Sequence, residues 1–205
     1  GKKTAEHIVN VLGKNAINVL LSDEDKVETL GLSERQKGVL MQGIIENNGT
    51  EQTIIELNNL GFSSRITEDI FSRYQEKSLE VIRKDPYSLA TEIRGLGFKR
   101  IDQIAQGMGI SFDDQKRILG AVLTSLYEEC YSNGNTYAND KLLLEKSLQL
   151  LEGARSEKVD PEKVADTIIE AGHKRKIVIE GKRIYPKSLY NSEQEIAYDL
   201  YRLMN

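Results

Sequence analysis

Gly95-Leu96-Gly97-Phe98-Lys99-Arg100-Ile101 is the stretch that decides the fold, because it joins a glycine-rich turn to the start of an amphipathic helix. Glycine permits positive φ and a close approach of two backbones. We therefore expect a β-branched residue in place of Gly97 to disturb the turn. The apolar residues that follow recur at helical spacing, at Ile101, Ile104, Ala105 and Met108. The stretch predicts two helices joined by a tight turn.

Three further stretches repeat this pattern with changes. They are Gly31-Leu32-Ser33-Glu34-Arg35-Gln36-Lys37, Gly61-Phe62-Ser63-Ser64-Arg65-Ile66-Thr67 and Gly1-Lys2-Lys3-Thr4-Ala5. Ser33 and Ser63 replace the second glycine, and the stretch at Gly1 starts part-way through the pattern. Because serine is a good N-cap, two interpretations stay open for the serine variants: a ligand-binding turn, or a helix start that only packs.

The chain also repeats itself on a larger scale. Residues 5–9 align with residues 67–71, and residues 16–20 align with residues 78–82, both at an offset of 62. After a shift of two residues, Leu30–Ser33 aligns with Arg94–Gly97. Residues 1–48 and about 62–110 are therefore predicted to be two copies of one small helical domain.

The pattern at Gly95 resembles the helix-hairpin-helix motif of DNA-binding proteins, written Gly-apolar-Gly-x-x-x-Ala. The first N–H groups of the second helix, helped by the helix dipole, form a phosphate site. Such a site reads the backbone and not the bases. Lys99 and Arg100 oppose the dipole of their own helix, which a phosphate partner would explain. The predicted DNA-binding residues are Gly95, Leu96, Gly97, Lys99 and Arg100 at this hairpin, Gly31, Ser33 and Arg35 at the first variant, and Lys2 and Lys3 at the start of the chain.

A longer string around the same hairpin resembles a particular family. Residues 85–89, 93–99 and 102–105 are similar to the N-terminal region of the RecD-like ATP-dependent DNA helicases, the exodeoxyribonuclease V alpha-subunit family, and residues 184–197 resemble the entry into the motor of that family. The resemblance implies tandem helix-hairpin-helix units, a motor that moves 5′ to 3′ on single strands, and a role in DNA repair and recombination. It also implies that the sequence is an excerpt without the motor, to which ATP and Mg would bind.

The second half of the chain reads as helices followed by a β-hairpin. We expect a helix capped within Ser111-x-x-Asp114 that runs to about Tyr131, a leucine-rich helix near residues 142–151, and a helix that starts at Asp160-Pro161. Alternation around Glu180-Gly181 predicts the hairpin, and Ser192-x-x-Glu195 predicts a capping box for a last helix. Helices followed by a hairpin resemble a winged-helix module. The predicted fold class is thus mainly all-α with one small β-hairpin.

Charge is distributed unevenly along the chain. The formal net charge of −4 argues against a simple basic nucleic-acid binder. Residues 173–187, however, carry six Lys and Arg against one Glu. Lys176, Lys182 and Arg183 are therefore predicted to be DNA contacts of the wing. The alternative is a solvated basic turn that balances the acidic residues 111–172.

The sequence offers no catalytic chemistry. It contains no complete phosphate-binding loop, and His7 and His173 lie too far apart for metal-ligand spacing. The single cysteine, Cys130, is expected to pack. A lone cysteine and the lack of a signal-peptide pattern favour the cytoplasm, and no apolar run is long enough to cross a membrane. No cofactor and no catalysis are expected of this fragment itself.

These observations give a domain order and a function. The predicted parts are a first helix-hairpin-helix unit at 1–49, a second at 50–110, a bridging helix and winged-helix-like module at 111–187, and the start of a motor domain at 188–205. The predicted function is a DNA-binding region of a helicase that contacts single-stranded or forked DNA through phosphates, with the motor domains in cis. Two alternatives remain: a protein-docking helical scaffold, or the DNA-binding region of another repair enzyme such as a nuclease or ligase.

Overall fold

The computed structural model describes residues 2–13, 16–22 and 25–204. Contacts between Cα atoms divide the chain into two compact units, Gly1–Ser78 and Leu79–Asn205. The described residues are mainly α-helical and include one small antiparallel sheet, which confirms the predicted fold class. Within those ranges, no helix combines the length and the apolar character needed to cross a membrane.

The first unit is built from helices packed on a small apolar core. Its helices are α1 (Lys2–Leu12), α2 (Ala16–Ser22), α3 (Asp25–Glu28), α4 (Glu34–Asn59) and α5 (Ser64–Tyr74), with a 3₁₀ turn at Gln75–Lys77. One core cluster consists of Ile8, Ala16, Leu20, Val27, Leu30 and Ile44. The start of α4 is fixed by a capping box, in which Ser33 Oγ accepts from the Gln36 N–H and the Gln36 side chain accepts from the Ser33 N–H.

The second unit contains the remaining helices. They are α6 (Ser78–Lys84), which begins at the boundary, α7 (Leu89–Glu92), α8 (Phe98–Gly107), α9 (Gln115–Tyr127), α10 (Asp140–Ala154), α11 (Pro161–His173) and α12 (Lys187–Met204). A 3₁₀ turn at Pro86–Ser88 precedes α7, and a π-helical segment at Glu128–Ser132 follows α9. As predicted, Asp160 caps α11 with Pro161 in its first turn.

The predicted β-hairpin lies in the second unit and has an extra neighbour. Strands β2 (Ile177–Glu180) and β3 (Arg183–Pro186) pair antiparallel, with Glu180 opposite Arg183. Gly181 has a φ of +60° in the two-residue turn, which suits glycine. A short strand β1 (Ala138–Asn139) pairs with the other edge of β3, so the sheet order is β1-β3-β2. The winged-helix comparison stays a prediction.

Helix positions reproduce the internal repeat seen in the sequence. Helices α1 and α5 have the same length at an offset of 62, and so do α2 and α6. Helices α3 and α7 differ by 64, as do the first residues of α4 and α8. The shift of two residues therefore falls between the second and third helix of each copy.

Two local predictions were confirmed and one was wrong. Helix α9 is capped within the predicted Ser111-x-x-Asp114 stretch, by Asp114, while Ser111 Oγ donates to the Asp113 carboxylate. The α-helical part ends at Tyr127, and the π-helical segment continues to Ser132, past the predicted end near Tyr131. No capping box forms at Ser192, since α12 begins at Lys187 and the Ser192 hydroxyl donates to the Ser188 carbonyl within it. The four-part domain division stays a prediction, although α4 continues without a break across residues 49 and 50.

Candidate nucleic-acid interface

The turn before α8 leaves the start of that helix open. Gly95 takes a φ of +83°, and Leu96 beside it is 3% exposed and anchors the turn in the core. Gly97 is the N-cap, with φ −77° and ψ 160°. The expectation that Gly97 itself requires positive φ was therefore wrong, because the left-handed conformation falls on Gly95. An N-cap glycine has no side chain that could accept from the N–H groups of Phe98 and Lys99, which leaves these two donors available, whereas the Arg100 N–H donates to the Gly97 carbonyl at 3.1 Å.

The two predicted basic residues lie on the outer face of α8. Lys99 and Arg100 are exposed, whereas Phe98, Ile101 and Asp102 around them are buried. The Arg100 guanidinium donates to Gln103 Oε1 at 3.3 Å, one turn further along the helix. No acidic residue occupies the first turn of α8. This helix start therefore combines unblocked amides with two outward cations, the arrangement that a phosphate needs.

The hairpin before α4 differs in its electrostatics. Gly31 has a φ of +61°, and Arg35 is exposed, as the motif requires. However, Ser33 caps the helix, and Glu34 lies in its first turn. The Lys37 ammonium contacts the carboxylates of Glu28 at 2.5 Å and Glu34 at 2.8 Å, and these bonds raise the pKa of Lys37. The chain's own groups thus compete with a phosphate at this site more than at α8.

The hairpin before α5 carries a basic residue that the sequence reasoning did not single out. Gly61 has a φ of +97°, and the hydroxyl of the N-cap Ser63 makes no capping hydrogen bond. Arg65 is exposed at the second position of α5, where α4 has Arg35 and α8 has Lys99. Alignment of the helix starts would have revealed this shared cation. Lys3 precedes Arg65 by the repeat offset and is also exposed, whereas Gly1 and the side chain of Lys2 fall outside the described residues.

The basic residues predicted for the wing do not form one group. Lys182 and Arg183 lie at the turn of the hairpin, whereas Lys176 lies just before β2, at the opposite end. The Arg183 guanidinium stands over the Tyr137 ring, 5.1 Å from its centroid, an attraction that holds the side chain in place. All three residues are exposed.

Lys176 instead belongs to a second group of lysines. A small cleft of about 270 Å³ is lined by Lys84, Lys116, Lys174 and Lys176, together with Asp85 and Glu170. Glu170 already pairs with Lys174 at 2.5 Å. Burial raises the pKa of Asp85, although the neighbouring Tyr87 N–H, Lys176 and Lys116 oppose that shift. Lys84 and Lys116 are far in sequence from Lys174 and Lys176, so no local pattern predicted this group, which we call the lysine cleft.

A buried ionic network holds α8 in position. The Asp102 carboxylate accepts from Arg117 Nε at 2.8 Å, from Arg155 Nη2 at 3.0 Å and from the Tyr87 hydroxyl at 2.6 Å. Burial alone would raise the pKa of Asp102, but the hydrogen bonds from Arg117, Tyr87 and Arg155 bring it below its ordinary value. All four side chains are at most 8% exposed. The network ties the helix that carries Lys99 and Arg100 to α9 and to the end of α10.

Other residues considered from the sequence have packing roles. Cys130 is 3% exposed, and burial followed by the nearby Glu129 carboxylate raises the pKa of its thiol to about 11. The thiol is therefore protonated at neutral pH and unreactive. His7 Nε2 lies 3.2 Å from the Leu30 carbonyl in the first unit. Within the described ranges, no three His, Cys, Asp or Glu side chains converge as metal ligands would.

Comparison with known proteins agrees with this geometry. Residues 46–137 match the family model for the helix-hairpin-helix domain of the ATP-dependent RecD2 DNA helicase. Residues 46–137 are therefore similar to that helix-hairpin-helix domain. This confirms the resemblance drawn from the string around Gly95. The matched range includes the hairpins before α5 and α8.

A relative supports the same assignment. The chain is 24% identical over 127 residues to the ATP-dependent RecD2 DNA helicase of Deinococcus radiodurans. That alignment covers 62% of this chain and 18% of the relative. The chain therefore spans only a small part of the length of the relative that it matches.

Proposed function

We propose that this chain is the sequence-independent DNA-binding and positioning region of an ATP-dependent 5′ to 3′ DNA helicase that serves repair and recombination in the cytoplasm. The open N-terminus of α8 carries the proposal. There, the Gly97 N-cap and the absence of an acidic first turn leave amides for a phosphate. Lys99 and Arg100 are exposed beside it.

The chemistry of this site accounts for the lack of sequence preference. Backbone amides and the helix dipole recognise a phosphate group, which is the same in every nucleotide. Lys99 and Arg100 add charge attraction that depends on salt and not on base identity. The partner is thus the backbone of single-stranded or forked DNA.

Other basic residues of both units would add weaker contacts. Arg65 and Arg35 occupy the matching position of their helices, and Lys3 lies one repeat before Arg65. In the second unit, the lysine cleft and the hairpin tip at Lys182 and Arg183 provide additional positive charge. We expect the first hairpin and the lysine cleft to contribute less than α8, because ion pairs or acidic neighbours partly neutralise them.

The chain contributes binding, and the motor supplies the chemistry. The motor domains in cis would hold ATP and Mg, and the region described here would position DNA for them. A pure sample of the 205-residue chain should therefore show no ATP turnover above background. Robust turnover would contradict the proposed division of roles.

A salt titration tests the proposal. Fluorescence anisotropy with labelled single-stranded, forked and duplex DNA of unrelated sequences should give similar affinities across sequences. The slope of log affinity against log salt should be roughly −0.7 to −0.9 per phosphate neutralised. Substitution of both Lys99 and Arg100 by Ala should weaken binding and reduce that slope by about 1 for each lost contact.

A matched control removes the same charge elsewhere. Lys158 and Lys163 are exposed in the second unit, and Lys163 already pairs with Asp113 at 2.6 Å. Substitution of both by Ala should leave the slope unchanged. If the Lys99/Arg100 variant stays folded and binds like the wild type, the hairpin is a packing element, and the protein-docking alternative gains support.

A further inference from the structure

A cleft of about 1100 Å³ opens beside the turn that precedes α8. Its first wall is the chain from Ala90 to Gly97, which includes the phosphate-binding turn. Its second wall comes from the end of α9 and the π-helical segment that follows, through Thr124, Tyr127, Glu128, Tyr131 and Ser132. Short π-helical segments occur frequently at functional sites. Phosphate binding by the hairpin turn does not require the residues of this second wall.

An aromatic face is presented in this cleft. Tyr131 is 57% exposed, although its ring is large and apolar. Its position is fixed, because its hydroxyl hydrogen-bonds to Ser188 Oγ at 2.7 Å and its ring lies 5.7 Å from that of Tyr127. A tyrosine with a fixed position and a solvent-exposed ring can stack on a planar ligand.

A buried hydroxyl in the same cleft lacks a partner. Thr124 is 6% exposed, and its Oγ1 has no hydrogen-bond partner among the described residues. Other helical threonines bond to the carbonyl four residues earlier, as Thr53 does to Gly49 and Thr167 does to Lys163. A buried polar group without a partner is costly. The hydroxyl of Thr124 therefore keeps a hydrogen-bonding capacity that the described residues do not use.

The charges of the cleft favour a neutral ligand over a phosphate. Glu92 and Glu128 line it against the single basic residue Arg94. Carboxylates repel phosphate but accept hydrogen bonds from ring and exocyclic N–H groups. A flat, uncharged ring that carries N–H donors fits this combination, and a nucleobase has that chemistry.

We propose that this cleft binds an unstacked nucleobase of a single DNA strand, with the base on Tyr131 and its edge toward the Thr124 hydroxyl. The proposal rests on the proposed DNA-binding function, since a phosphate on the N-terminus of α8 places the strand beside the cleft. Paired bases in a duplex have no free face. The cleft therefore adds a preference for single strands to a site that is otherwise indifferent to sequence.

The test compares strands of equal charge with and without bases. The probes are a labelled twelve-nucleotide oligodeoxycytidine, an abasic phosphodiester of the same length, and free deoxycytidine monophosphate as a competitor. Stacking on one aromatic side chain should make the wild-type chain bind the oligodeoxycytidine about tenfold more tightly than the abasic strand. The free nucleotide should compete poorly, because it lacks the neighbouring phosphates.

Variants assign the difference to the cleft. Tyr131→Leu should reduce affinity for oligodeoxycytidine to that for the abasic strand, and Tyr131→Phe should retain the preference because it keeps the ring. Tyr198→Leu is the matched control, since Tyr198 is 67% exposed on α12 and does not line the cleft. Thr124→Val should keep or raise the melting temperature while it weakens the preference for bases.

The outcomes separate this proposal from the proposed function. Equal, salt-dependent binding of both strands by the wild type would refute the base site and leave phosphate binding intact. The same holds if folded Tyr131→Leu keeps the full preference. Loss of salt-dependent binding to every strand would refute both. If free deoxycytidine monophosphate competes as well as the oligodeoxycytidine, the cleft binds a small molecule, and the proposal that it binds a base within a DNA strand is refuted.

Discussion

Gly95 and Gly97 belong to one turn but differ in backbone conformation. Gly95 has a φ of +83°, a conformation that L residues adopt at a cost, whereas Gly97 has a φ of −77° that any residue tolerates. A Cβ at either position would meet no atom within 4 Å. Backbone strain therefore restricts Gly95, whereas neither strain nor space restricts Gly97, for which the proposed phosphate site gives a reason.

The two positions should thus respond oppositely to substitution. Gly95→Ala should lower the free energy of unfolding by about 1–2 kcal/mol, because alanine is strained at positive φ. Gly97→Ser should preserve or slightly raise stability, since serine is a better N-cap. It should nevertheless weaken DNA binding, because its hydroxyl would accept from the amides that the phosphate needs. Urea melts and anisotropy on both variants check this. If Gly97→Ser binds DNA like the wild type, the backbone amides at the start of α8 do not contact the phosphate.

At the scale of elements, α8 is held by buried charge. Asp102 is 1% exposed and receives hydrogen bonds from two arginines that lie 15 and 53 residues away. Removal of one partner from a buried ion pair leaves an uncompensated charge. The orientation of Lys99 and Arg100 therefore depends on residues at the start of α9 and just after α10.

Asp102→Asn should accordingly lower the free energy of unfolding by about 3–5 kcal/mol at neutral pH. Because the pKa of Asp102 is lowered in the folded chain, its contribution is present above the ordinary value near 3.8 and is lost as the pH falls through the folded pKa. The difference between wild type and variant should hence shrink at low pH.

Urea melts at neutral and acidic pH measure this difference. Asp113→Asn is the control, since it removes a partly exposed carboxylate that pairs with Lys163, and such surface pairs contribute about 1 kcal/mol or less. Equal losses for the two variants, or a loss at Asp102 that does not depend on pH, would contradict a stabilising role for the buried carboxylate.

The network around Asp102 could not be predicted from the sequence, because its residues are far apart along the chain. Local signals predicted the Asp160-Pro161 start of α11 and the hairpin at Gly181, because each depends on neighbouring residues. The repeat of helix positions was found by comparing the chain with itself at an offset of 62. Asp102, Arg117 and Arg155 follow no such spacing, so their pairing was invisible. The lysine cleft was missed for the same reason. Glycine in a motif permits positive φ but does not say which glycine takes it, and Gly97 was assigned wrongly.

At the scale of the whole molecule, a net charge of −4 coexists with local positive sites. Exposed Arg35, Arg65 and Lys99 occupy the second position of helices that follow glycine turns. Residues 111–172 carry the largest acidic excess, although Glu34 also lies directly beside Arg35. Non-specific attraction of the entire chain to DNA is therefore weak, and binding depends on where each cation stands.

Charge reversal at three places of the second unit distinguishes site binding from bulk charge. Each pair, Lys99/Arg100, Lys182/Arg183 and Lys116/Lys176, is changed to Glu, which alters the net charge equally. Reversal at α8 should weaken DNA binding most, because only there do backbone amides act with the cations on one phosphate. Reversal at the hairpin tip and in the lysine cleft should cost less, since these groups add only screened attraction. Affinity measured at two salt concentrations, with circular dichroism melts as the check on folding, gives the order. Equal losses of affinity for the three pairs would mean that DNA binding depends on the total charge of the chain. The α8 turn would then not be the principal contact.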